Sequence, residues 1–97
     1  MKHFIILIHY KKSVEEIDKI LPLHREYLQK GYKEKLLLFS GPRIPRNGGI
    51  VAARAEDINT LKTFFNNDPY YLNSAAEYEF IEFTPVNKQD FLSEWFS

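Results

Sequence analysis

The stretch KLLLFSGPRIPRNGGIVAARA, residues 35–55, decides the fold. Two apolar runs, KLLLFSG and GGIVAARA, flank the turn-forming segment PRIPRNG, whose Asn47-Gly48 pair suits a tight reversal. The spacing predicts two antiparallel strands joined as a hairpin. What lies on either side of that hairpin then settles the topology.

Upstream, HFIILIHY is β-branched and aromatic on both alternating faces, with Phe4, Ile6 and Ile8 on one and Ile5, Leu7 and His9 on the other. It reads as a strand covered on both sides. Ser13 and Glu16 have the spacing of a capping box, in which each side chain meets the other residue's free backbone donor. A helix follows. At about 100° per residue, Val14, Ile17, Leu21, His24 and Leu28 share one stripe, and Glu15, Asp18, Lys19, Glu26 and Gln29 lie opposite. Pro22 has no N–H for the Asp18 carbonyl and crowds it, which predicts a bend or restart, with the helix ending near Gly31.

Downstream, AEDINTLKTFFNN carries Ile58, Leu61, Phe64 and Phe65 at helical spacing, and Asp68-Pro69 ends that helix or starts a short turn. EYEFIEFTPV is a last strand. KQDFLSEW then sets Phe91, Leu92 and Trp95 on one side of a short helix, so residues 86–97 are expected to dock as a tail. The order is β-α-β-β-α-β, an α+β ferredoxin-like fold with a four-stranded antiparallel sheet, in a single domain over residues 1–97. Two helices cover only one face of such a sheet, yet the first strand is apolar on both. A second copy packed sheet against sheet, a homodimer, is the expected cover.

Composition narrows the functions. Thirteen basic residues balance thirteen acidic ones, so no broad positive field invites nucleic acid or anionic lipid. The absence of cysteine removes disulfides, thiolate zinc sites and cysteine nucleophiles. MKHFIILIHYKK lacks a small-residue cleavage site, and no apolar run reaches the ~20 residues of a membrane-spanning helix, so a mature cytoplasmic protein is expected. His3 and His9 share a strand face roughly 20 Å apart, too far to bind one metal ion.

Four groups of residues remain as chemical candidates. His24 turns an imidazole inward, and imidazole accepts and releases protons at cellular pH. Position alone favours a core histidine bonded to a backbone carbonyl. Asp68 would orient that ring if it came within reach, although Asp before Pro69 is equally an N-cap. In FSGPRIPRNGG, the glycines permit close backbone approach, and Ser40, Arg43 and Arg46 offer donors to a carboxylate, phenolate or phosphate. That segment lacks the spacing and the Lys-Ser/Thr of a nucleotide P-loop. His9 at the strand's end and Tyr70 complete the set, each with an ordinary packing role as the alternative.

Taken together, LPLHREYLQKG, FSGPRIPRNGGIVAA and NNDPYY before AAEYEFIEFTPV resemble the YciI-like, or YCII-related, proteins of the dimeric α/β-barrel superfamily. The resemblance spans nearly the whole chain. It implies that His24 and Asp68 match a His–Asp dyad proposed as the active site of that family, and that Gly41 and Pro42 match its Gly-Pro. Ser40 and Arg46 fit a subgroup pattern, and Tyr70 stands where phenylalanine is common. The expectation that follows is a cofactor-independent enzyme in which the dyad moves a proton on a small anionic metabolite, by isomerisation, elimination or hydrolysis. Two alternatives stay open: a non-catalytic small-molecule-binding dimer, and a cofactor-free monooxygenase of aromatic substrates.

Overall fold

A computed structural model describes residues 1–97. Its elements are β1 (Lys2–Tyr10), α1 (Val14–Lys33), β2 (Leu37–Pro42), β3 (Gly48–Ala55), α2 (Ile58–Asn66), the short α3 (Pro69–Leu72), β4 (Ala76–Phe83) and a terminal 3₁₀ turn (Asp90–Leu92). The strands form one antiparallel sheet in the order β2-β3-β1-β4. The fold is therefore the ferredoxin-like α+β arrangement, with the hairpin β2–β3 placed as its sequence requires.

The two faces of β1 meet different surroundings. Phe4, Ile6 and Ile8 are buried under the helices together with Val51 of β3, Ile17 and Leu28 of α1, and Leu61 and Phe65 of α2. Burying side chains of this size contributes about 1.5–3 kcal/mol each, so this layer is the core that positions everything else. On the opposite face Ile5 and Leu7 are only half-buried, and Ile50, Ile81, Phe83 and Phe39 around them are exposed.

Local details depart from the sequence reading in four places. First, α1 is one unbroken helix of 20 residues with Pro22 inside it. Pro22 and Asp18 both lie on the solvent side, where water can take the carbonyl that proline leaves without a donor. Second, Gly31 does not end the helix. It is buried where α1 crosses β2 and α2, and a Cβ there would come within 2.8 Å of Leu37 and Phe64 side-chain atoms. The left-handed residue after the helix is instead Lys35, at φ 59°.

Third, Asn47-Gly48 is not the tip of a two-residue turn, because Gly48 already belongs to β3 and no glycine has positive φ. Gly48 is needed for proximity: a Cβ would sit 1.8 Å from the Ile8 carbonyl oxygen of the neighbouring strand. Fourth, the tail forms only a 3₁₀ turn, and Phe91 is exposed. Leu92 and Trp95 are half-buried against the sheet as expected, and Phe96 takes the place of Phe91. The Arg54 guanidinium lies 3.7 Å from the Trp95 ring centroid and donates to the Trp95 carbonyl at 2.9 Å, while Phe96 lies against His3 at 4.6 Å.

Candidate active site

Helix α1 delivers His24 to the core because its stripe faces the sheet, and Ser13 Oγ begins that helix by accepting from the Glu16 N–H at 3.2 Å. Asp68 arrives from the other half of the chain. As N-cap of α3 its Oδ1 accepts from the Tyr70 N–H at 3.0 Å, which fixes the carboxyl group in a fully buried position. The same carboxyl group lies 2.9 Å (Oδ1) and 2.8 Å (Oδ2) from His24 Nδ1. Capping and orienting are thus done by one side chain.

A carboxylate can only accept, so the proton of this bond resides on His24 Nδ1. That assigns Nε2 as the nitrogen free to exchange a proton. No protein group bonds Nε2, and it is not sealed from solvent, although the residue as a whole is only 6% exposed. The ring is held from its face as well: Tyr70 stacks on it with centroids 3.8 Å apart and planes 8° from parallel.

His24 opens onto a cavity of about 170 Å³ between α1, the sheet and the hairpin. An apolar cavity of ~150 Å³ accommodates benzene, so this one holds a single six-membered ring. Ser40, Gly41, Pro42, Arg46 and Tyr70 all line it. Ser40 Oγ is engaged with the Tyr32 hydroxyl at 2.6 Å. Nothing lies within 4 Å of where a Cβ would sit on Gly41, so of the hairpin glycines it is Gly48, and less tightly Gly49, whose missing side chains admit the neighbouring backbone.

Arg46 is not a free cation. It donates to Asp18 Oδ1, and that bond holds the Asp18 carboxyl below the usual carboxylate range. His9 is not part of the cavity wall. Alternation along β1 turns it to the opposite face, where Nε2 lies 3.1 Å from Glu79 Oε1.

Two lining residues escaped the sequence reading. Tyr10 continues the Phe4, Ile6, Ile8 face to the strand's end, where the cavity opens, and period-two alternation was the signal for it. Arg25 also lines the cavity and makes no ion pair. Its Cα lies about 100° around the helix from that of His24, and only its long side chain brings it back to the mouth. No periodicity rule marks such a residue.

The YCII-related domain family matches residues 1–84 of this chain. The protein belongs to that family. Among solved structures, it is similar to 5-chloro-2-hydroxyhydroquinone dehydrochlorinase from Burkholderia phenoliruptrix AC1100, in complex with 2,5-dihydroxybenzoquinone. The TM-score is 0.68 at 18% identity, over 92% of this chain and 96% of that one, so what the two share is the fold. No curated protein sequence matches significantly.

Proposed function

We propose that this YCII-related protein is a cofactor-independent enzyme in which Asp68 orients His24 and His24 Nε2 moves a proton on a small, one-ring anionic substrate. One observation carries the reading: a fully buried carboxyl group holds Nδ1 at 2.8 and 2.9 Å, while Nε2 stays unbonded at a cavity. An imidazole oriented in this way is a general base or acid without any further group. The cavity volume suits a one-ring substrate, in keeping with the fold relative's ligand, 2,5-dihydroxybenzoquinone. Arg25 at the mouth supplies the positive charge that receives the anion, and Arg46 with Ser40 completes the polar rim.

The direct test is turnover on a panel of hydroxylated and chlorinated one-ring compounds, beginning with 5-chloro-2-hydroxyhydroquinone, by wild type and His24→Ala. The variant is expected to lose about 10²- to 10⁴-fold in rate. Equal turnover by the two proteins refutes the assignment. Stoichiometric binding of a panel compound without turnover supports the non-catalytic alternative instead. We also propose that the half-covered sheet face around Leu7, Phe39, Ile50 and Ile81 packs on a second copy of the chain. Sedimentation analysis showing only monomers at micromolar concentration would rule this out.

A further inference from the structure

Tyr70 presents an unusual combination. It is 2% exposed, and a buried phenol O–H ordinarily has a hydrogen-bond partner. Its hydroxyl is within reach of the Tyr10 phenol, and it is not among the sealed, unpartnered polar atoms, which are only His3 Nδ1 and the Tyr78 hydroxyl. A hydroxyl that is not sealed, on a residue lining the cavity, opens into that cavity.

Its neighbours extend the pattern. Tyr10 stands edge-on to Tyr70 with centroids 6.0 Å apart, and its phenol lies beside that of Tyr70. The Arg46 guanidinium sits 6.0 Å from the Tyr10 ring centroid and is anchored from behind by Asp18. Two phenol donors and one fixed cation therefore share the wall that also holds His24. Burial pushes the Tyr70 phenol upward from its ordinary range, so it remains a donor at neutral pH. Packing alone would be served by phenylalanine.

We infer that Tyr70 and Tyr10, backed by Arg46, form an oxyanion subsite, and that the ligand is a one-ring compound bearing a hydroxyl or carbonyl oxygen. This inference rests on the proton-transfer reading of His24 and names the group that stabilises its product. In the step, a C–H or O–H bond of the ligand breaks and the proton moves to His24 Nε2. The bonding pair stays on the ligand and its charge is delocalised onto the oxygen, which accepts the hydrogen bonds of the two phenols. No oxidant, metal or further reactant is consumed. Donors held in place where negative charge develops stabilise it without reorganisation.

The experiment uses 4-nitrophenol as a probe, because its phenolate has its own visible absorbance, with nitrobenzene as the matched ring lacking the oxygen. Wild type is expected to bind the phenolate and shift its ionisation toward the anion. Tyr70→Phe and Tyr10→Phe are each expected to weaken phenolate binding by roughly ten- to a hundredfold, the range for a hydrogen bond to a charged group. Neither should alter nitrobenzene binding. Tyr71→Phe, on the exposed side of the same short helix, should change neither.

The subsite is overturned if both single variants bind phenolate as wild type does, if phenolate and nitrobenzene weaken equally, or if wild type binds neither. The two readings fail separately. Tyr70-dependent phenolate binding with no turnover on any panel compound leaves the subsite standing and removes catalysis. Turnover lost in His24→Ala, with phenolate binding indifferent to Tyr70 and Tyr10, removes the subsite alone.

Discussion

Asp68 performs two tasks that substitutions can separate. Asp68→Ala removes the cap on Tyr70 N–H and the bond to His24. Losing an N-cap costs about 0.5–2 kcal/mol, and losing a hydrogen bond to a charged group costs about 1.5–3 kcal/mol, so the alanine variant is expected to lose about 2–5 kcal/mol. Asp68→Asn keeps an amide oxygen that can accept from Tyr70 N–H and loses chiefly the charged interaction, about 1.5–3 kcal/mol. For a chain of this size, each kcal/mol lowers Tm by about 4–8 °C, which places the asparagine variant about 6–24 °C below wild type.

Because Asp68 is fully buried and His24 is 6% exposed, solvent screening takes little from these figures. The assay is urea unfolding of Asp68→Ala, Asp68→Asn, His24→Ala and the double variant His24→Ala/Asp68→Asn, with m-values compared to check that the unfolded ensemble is unchanged. His24→Ala alone leaves a buried carboxylate without its partner and should lose about 3–5 kcal/mol. Adding Asp68→Asn to it removes that lone charge, so the double variant should be less destabilised than the sum of the two. Additivity within about 0.5 kcal/mol, the behaviour of independent sites, would refute the coupling on which the dyad depends. Equal losses in Asp68→Ala and Asp68→Asn would refute the cap.

Three further outcomes are expected. Burial, the largest cause in each case, raises the Tyr27, Tyr70 and Tyr78 phenols, so their contribution to stability is present below the ordinary tyrosine value of ~10 and is lost as pH climbs above it. An ultraviolet absorbance titration should find these three of the six tyrosines silent until the fold opens; ionisation of all six in the folded protein would contradict this. Burial, the N-terminal amine and Arg54 lower the His3 imidazole, so its contribution is present above ~6.5 and is lost as pH falls through the depressed folded value. Emission from Trp95, the single tryptophan, should therefore shift to the red on acidification, less so in His3→Phe; identical acid profiles would disprove the coupling to the tail. Gly48→Ala should break the end of the β1–β3 pairing at His9–Gly48 and lower the Tm, because its Cβ would overlap a backbone carbonyl rather than a movable side chain; a cooperative melt near the wild-type Tm would show that account to be wrong.

Much of the architecture was legible along the chain because strands and amphipathic helices have fixed periods. A continuous β-branched run exposed β1, the stripe through Ile17 and Leu28 exposed α1, and the hairpin between two helical patterns determined the order of elements. The same stripe turned His24 inward, and Asp68-Pro69 marked a helix start. Family resemblance, rather than periodicity, paired those two residues in advance. What sequence periods could not convey was distance. His24 and Asp68 are 44 positions apart, and only the packing of α3 against α1 brings their atoms within 3 Å. Arg46 looked free until Asp18 was found beside it, His9 looked available until the sheet turned it away, and Gly31 and Gly48 looked like punctuation until the neighbouring backbone and side chains filled their empty space. Local composition specifies which face each residue occupies. Which groups meet across the core, and how large a gap remains between them, depends on how whole elements pack, and no single segment encodes that.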